Sequence, residues 1–161
     1  MGAATPARSA GLLLFRRTER GLEVLLGHLG GPYFAKRDAG AWSIPKGEYG
    51  PDEESLAAAR REFTEEFGSA PPAGELVELG TVRQRNGKLV TAWAVEADFD
   101  AEGVVSNTFE IEWPPRSGRR QSFPEIDRAG WFDLVTARGK MIAGQDSLID
   151  RLLERIAGAP T

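Results

Sequence analysis

The chain has 161 residues, no cysteine, a net charge of −4, 41% hydrophobic and 27% charged residues. These values describe one domain large enough to bury a core; they exclude disulfides and thiolate metal sites and disfavour a general nucleic-acid binder, which would carry a basic patch. No apolar run approaches the length of a membrane span and the N-terminus lacks the apolar core of a signal peptide, so no membrane is expected and the default location is cytoplasmic.

Residues 1–8 are small and polar and read as a flexible N-terminal tail, ahead of a single domain over residues 9–161. Leu12-Leu13-Leu14-Phe15 and Val24-Leu25-Leu26 are short apolar runs on either side of a Thr18–Gly21 turn, which predicts a β-hairpin. The apolar runs are continuous rather than alternating, so these strands should be covered on both faces by helices. His28 is the only histidine. It is either a substrate contact or general base at a strand end, or a structural hydrogen-bonding residue, and the second is the favoured reading. From Leu29 to Ala41 the loop formers Gly30-Gly31-Pro32 and Asp38-Ala39-Gly40 are interleaved with Tyr33, Phe34, Lys36 and Arg37. Such a loop either covers a base and its phosphates, with Tyr33 as the aromatic contact, or is plain surface. Trp42 to Ile44 reads as a short strand leading to Pro45-Lys46-Gly47.

The central stretch is Gly47–Ser69, GEYGPDEESLAAARREFTEEFGS. It predicts a helix with Asp52 as N-cap and Glu53 and Glu54 in the first turn, where the helix dipole favours anions. Leu56, Ala59, Phe63 and Phe67 form one apolar stripe, and Gly68 suits a left-handed C-terminal cap. Glu62, Glu65 and Glu66 fall at i, i+3 and i+4 along one side. Like charges at that spacing repel by roughly 0.2–0.5 kcal/mol per pair, and Glu65 and Glu66 sit at the end of the helix that disfavours anions. Arg61 offsets part of this by pairing with Glu65 or Glu53. Three carboxylates kept together against repulsion point to a divalent cation with hard oxygen ligands, Mg²⁺, Mn²⁺ or Ca²⁺; taken alone, the same triplet is also compatible with a solvated acidic face.

Downstream, Ala70–Gly74 is a Pro-rich turn. Leu76–Gln84 and Leu89–Ala97 predict paired strands across Arg85-Asn86-Gly87-Lys88, since Asn-Gly is a strong hairpin signal. Arg83, Arg85 and Lys88 are cationic candidates for substrate phosphates, although the hairpin tip favours solvation. Phe109, Ile111 and Trp113 alternate with Glu110 and Glu112, a strand with one wet face. Pro114–Gln121 is a basic loop with Arg116, Arg119 and Arg120. From Asp133 the chain turns helical with Leu134, Ala137 and Met141 on the core face, and Ser147–Ile156 follows with Leu148, Leu152 and Ile156 spaced as one stripe.

The run of Gly47, Glu53, Arg61-Glu62, Phe63, Glu65-Glu66 and Gly68, at these spacings, resembles the Nudix box, the signature of the Nudix hydrolase family. Every fixed glycine, arginine and glutamate is present; Ser69 stands where an aliphatic residue is usual, at a packing position. The resemblance implies an α/β/α sandwich around a central mixed β-sheet. It implies Mg²⁺, with Mn²⁺ possible, held by Glu62, Glu65 and Glu66 and by the backbone carbonyl of Lys46, whose side chain could also reach a phosphate. The family commonly carries an acid six residues ahead of a late tryptophan, and Glu125 and Trp131 match that spacing. Glu125 is therefore a further metal ligand or the general base, with Glu65 the second choice as base; Arg61 and Glu53 brace the platform. The implied reaction is hydrolysis of a phosphoanhydride in a nucleoside diphosphate linked to a further group, by a monomer or homodimer acting on a small nucleotide rather than a nucleic-acid polymer. The tyrosine and proline that mark two subgroups downstream of the box correspond to Arg85 and Gln84, so neither marker is present. A weak lean to nucleoside tri- or dinucleoside polyphosphates rests on the two flanking loops, with Arg83 and Tyr33 as contacts. The competing reading is a nucleotide-binding sensor on the same fold without turnover.

Overall fold

The computed structural model describes residues 7–157. β1 (Arg8–Thr18) and β2 (Gly21–Leu29) form the expected antiparallel hairpin, closed at Thr18 and Gly21. The turn needs Gly21, whose φ of 116° favours a residue without Cβ. Pairing between β1 and β2 is confined to the turn end, from Phe15 and Val24 onward. Beyond it the two strands part, and the segment of β3 (Trp42–Ser43) and β4 (Lys46–Glu48) is wedged between them. β3 pairs with β2 at His28 and Trp42, and β4 pairs with β1 at Ser9 and Glu48. Gly11 lets this segment in: a Cβ there would lie 2.6 Å from the Pro45 carbonyl oxygen.

The helix α1 (Ser55–Phe67) crosses one face of the sheet. Ala58, Ala59, Phe63 and Phe67 pack on Leu12, Leu14 and Leu25, and full burial of a phenylalanine of this kind contributes about 1.5–3 kcal/mol. Gly68 caps the helix in the left-handed region, φ 84°, its N–H donating to the Thr64 carbonyl. The expected start is corrected. The helix begins at Ser55 with Glu54 as an N-cap that makes no side-chain bond, and its first turn holds no acid. Asp52 and Glu53 instead lie in a turn closed by Glu53 N–H on the Gly50 carbonyl, and the Glu53 carboxylate is bonded to Arg61.

β5 (Leu76–Arg83) and β6 (Leu89–Glu96) form the second hairpin, and β6 runs parallel to β1 from Arg8–Leu89 to Phe15–Glu96. That one parallel pair makes the sheet mixed. β7 (Thr108–Glu112) is a strand as expected, yet among the described residues it stands outside the main sheet, paired with β8 (Arg120–Pro124). The stretch read as a basic loop is thus the turn and second strand of this hairpin. β9 (Ile126–Asp133) returns to pair with β2. α2 (Leu134–Lys140), capped by Asp133 on the Thr136 N–H, and α3 (Ser147–Ala157) cover the other face, where Leu148, Ile149 and Leu152 meet Leu13, Phe15, Val24 and Leu26. The continuous apolar runs of β1 and β2 are therefore buried on both sides. Arg8 already belongs to β1, while residues 1–6 of the expected tail lie outside the described residues.

Candidate functional site

The wedge of β3 and β4 sets Gly47 directly under α1. A Cβ at Gly47 would lie 2.0 Å from the Glu62 carboxyl carbon, so only glycine lets Glu62 lie against this strand. One residue earlier, the Lys46 backbone N–H donates to Glu66 Oε1 at 3.2 Å. Glu125 follows β8, and Asn107 precedes β7. The Asn107 N–H donates to the Glu65 carbonyl at 2.8 Å and its carbonyl accepts from the Glu125 N–H at 2.9 Å, which ties the outer hairpin to the end of α1.

These elements enclose a cleft of about 320 Å³ lined by Glu62, Glu65, Glu66 and Glu125, with Lys46, Lys88, Glu48, Ser9, Ser43 and Asn107 around them. A larger hollow of about 560 Å³ lies beside Arg60, Thr64 and the Pro71–Gly74 turn, and no carboxylate lines it. Arg61 organises the acids from the side. Its Nε and Nη2 donate to the two Glu53 oxygens at 2.8 Å each, and its Nη1 donates to Glu62 at 2.8 Å and to Glu65 at 3.3 Å. The fork accordingly holds Glu53 below the usual carboxylate range. Burial pushes Glu66 up to about 8, helped by Glu62 and Glu125 and opposed by Lys46. Burial likewise raises Glu62 and Glu125 and lowers Lys46. The cleft holds more negative charge than its own cations neutralise.

The donor set, four carboxylates with a strand backbone beside them, fits a hard divalent cation. Among the described residues no three acidic or imidazole groups stand at coordinating geometry. Glu62 and Glu65 are instead engaged by Arg61.

The remaining expected residues lie elsewhere. Arg83 is exposed on β5 and donates to the Gly87 carbonyl at the hairpin tip, outside the cleft. Tyr33, 61% exposed, packs edge-on against Trp113 at 5.2 Å and does not line the cleft either. Glu110 and Glu112 point to solvent. His28 is buried, with Nε2 donating to the Arg37 carbonyl at 2.6 Å and Nδ1 2.9 Å from Asp127, which is the structural role. Lys88 is the tip cation that reaches the cleft. Ser9, Ser43, Glu48 and Asn107 carried no sequence signal for it, because long-range strand pairing is what brings them there.

A NUDIX domain model matches residues 5–152. The chain belongs to the Nudix family. Among solved structures, a C. elegans Ap4A hydrolase binary complex is similar over 94% of this chain and 99% of that one, at 22% identity and a TM-score of 0.64. The NUDIX domain of Shewanella oneidensis NrtR complexed with ADP ribose is similar over 96% and 90%, at 16% identity and a TM-score of 0.63. A mutT/nudix family protein from Listeria innocua is similar over 96% of each chain, at 18% identity and a TM-score of 0.61. Identities this low speak for the Nudix fold, the α/β architecture described above. Comparison with curated proteins gives no match. Among the described residues, no helix is long and apolar enough to cross a membrane.

Proposed function

We propose that this Nudix protein is a divalent-metal-dependent pyrophosphohydrolase, using Mg²⁺ or Mn²⁺, that cleaves a phosphoanhydride in a nucleoside diphosphate linked to a further group. The observation that supports this best is the convergence of Glu62, Glu65, Glu66 and Glu125 on one cleft, three of them pushed up by burial. Carboxylates crowded in this way repel one another, and Arg61 alone offsets only part of that. Glu62, Glu65, Glu66, Glu125 and the Lys46 carbonyl are the groups that would hold it. Bound there, a divalent ion supplies charge neutralisation at the anhydride oxygens and a lowered pKa for the attacking water.

The chain's own residues do the rest. Arg61 holds Glu62 and Glu65 in register and is itself anchored by Glu53. The Lys46 side chain lines the same cleft and would meet a substrate phosphate there. Glu125, raised by burial, is the proposed general base, with Glu65 as the alternative. In-line displacement at phosphorus needs mainly positioning and neutralised charge. The preferred substrates are nucleoside tri- or dinucleoside polyphosphates, small nucleotides rather than polymers, met by a monomer or homodimer in the cytoplasm.

Phosphate release from a panel of nucleotides, with Mg²⁺ and with EDTA, tests the reading, the products showing which anhydride is cut. Release that needs Mg²⁺ is expected. Nucleotide binding without release would favour a sensor, and neither binding nor release would sink both.

A further inference from the structure

The charged side chains that line the cleft differ in their exposure to solvent. Glu62 is 12% exposed in its side chain, whereas Glu48 is 61% and Lys88 44% exposed. Lys88 Nζ stands 3.7 Å from Glu48 Oε2. Strand register puts them together across a separation of 40 residues. β4 and β6 flank β1 on opposite edges, with Glu48 opposite Ser9 and Leu89 opposite Arg8, so the residue before Leu89 reaches across the end of β1 to Glu48. Lys88 also lies close enough to Lys46 to disfavour its charge. The two lysines therefore share one field, one at the floor and one at the lip.

The geometry points to Lys88 as a specificity-determining substrate contact: it receives the phosphate that lies beyond the anhydride seated at the floor, with Glu48 as the competing anion that this phosphate must displace. The inference rests on the proposed pyrophosphohydrolase reading, and it names what that reading leaves open, the length of the phosphate chain. An exposed pair at 3.7 Å is weak, so a phosphate oxygen, with more charge and several acceptors, exchanges for Glu48 readily. On this assignment a pyrophosphate seated against the acids stops short of Lys88, and a third phosphate reaches it. No hinge or closure is needed, since both partners already stand at the mouth.

The test is calorimetric binding of imidodiphosphate and diimidotriphosphate, non-hydrolysable analogues of pyrophosphate and tripolyphosphate, in Mg²⁺. For Lys88→Ala, affinity for the three-phosphate probe should fall about tenfold, with less than about a twofold change for the two-phosphate probe. Lys88→Arg should restore most of the loss, and Glu48→Gln should tighten the three-phosphate probe alone. Arg83→Ala, on the same hairpin and outside the cleft, should change neither. Equal losses for both probes, no loss with Lys88→Ala, or failure of the wild-type protein to bind either probe would each overturn the assignment. The nucleotide panel separates this failure from that of the wider reading: Mg²⁺-dependent release with chain-length-independent binding leaves the hydrolase standing without a role for Lys88.

Discussion

Glu66 carries the sharpest conflict at the scale of single residues. The residue is half-buried, its carboxylate bonded to one backbone N–H and pushed up to about 8 against an ordinary 4.5. Because the folded pKa lies above the unfolded one, the folded state holds a proton that the unfolded state has lost between those values. That contribution to stability is complete below about 4.5 and disappears as pH rises through about 8. In EDTA the melting temperature should therefore be higher at about pH 5.5 than at about pH 7.5, and Glu66→Gln should flatten that slope. The pairing that holds Glu53 low is lost only at more acid pH, as the carboxylate protonates. With Mg²⁺ present, the same variant should lose most turnover and most of the metal-induced rise in melting temperature. A Glu66→Gln protein that is fully active and less stable in EDTA would contradict the assignment. Glu62, Glu65 and Glu66 were legible in the sequence, since three acids on one side of a helix repel and need a reason to stay. Glu125 was legible only through its spacing to Trp131.

At the scale of elements, the contact between α1 and β4 decides whether the acids can converge. Gly47 sits in an ordinary backbone region, so alanine there is objectionable only for its methyl group, which would fall on the Glu62 carboxyl. Gly47→Ala should leave the helix and sheet intact by circular dichroism while displacing Glu62. The expected result is roughly a 10–100-fold loss of metal affinity or activity, the range seen when support around a metal ligand is removed. Unchanged Mg²⁺ binding would mean that Glu62 has room the structure does not show. The helix start illustrates how far local rules reach. Asp52 has the chemistry of an N-cap, but the bidentate Arg61–Glu53 pair and the Gly50 turn move the first helical residue to Ser55. Propensity rules describe a helix by itself, and an arginine two turns away is not part of them.

At the scale of the molecule, one buried side chain joins parts far apart in sequence. Gln145 Nε2 donates to Ser43 Oγ at 2.9 Å and to Gln84 Oε1 at 2.7 Å, and its Oε1 accepts from the Ile44 N–H at 3.2 Å. It thereby fixes the β3 wedge, the β5 end and the approach to α3 behind the cleft. Gln145→Ala should cost about 2–3 kcal/mol, the penalty of orphaned buried polar groups, and lower the melting temperature by roughly 4–12 °C for a chain of this size; a loss below about 1 kcal/mol would show that water replaces the amide. Hydrophobic period, turn chemistry and the spaced acids of residues 47–69 determined from sequence the first two hairpins, the helices, the sheet covered on both faces and the acidic triplet, because each of these is a relation between residues close in the chain. The tertiary structure alone decided that Lys88 and Glu48 meet, that Asn107 and Ser9 face the acids, that Arg83 and Tyr33 do not, and that β7 and β8 leave the main sheet. The register of β1 with β4 and with β6 brings Lys88 to Glu48, and register is chosen by packing over the whole sheet rather than by any short run of residues.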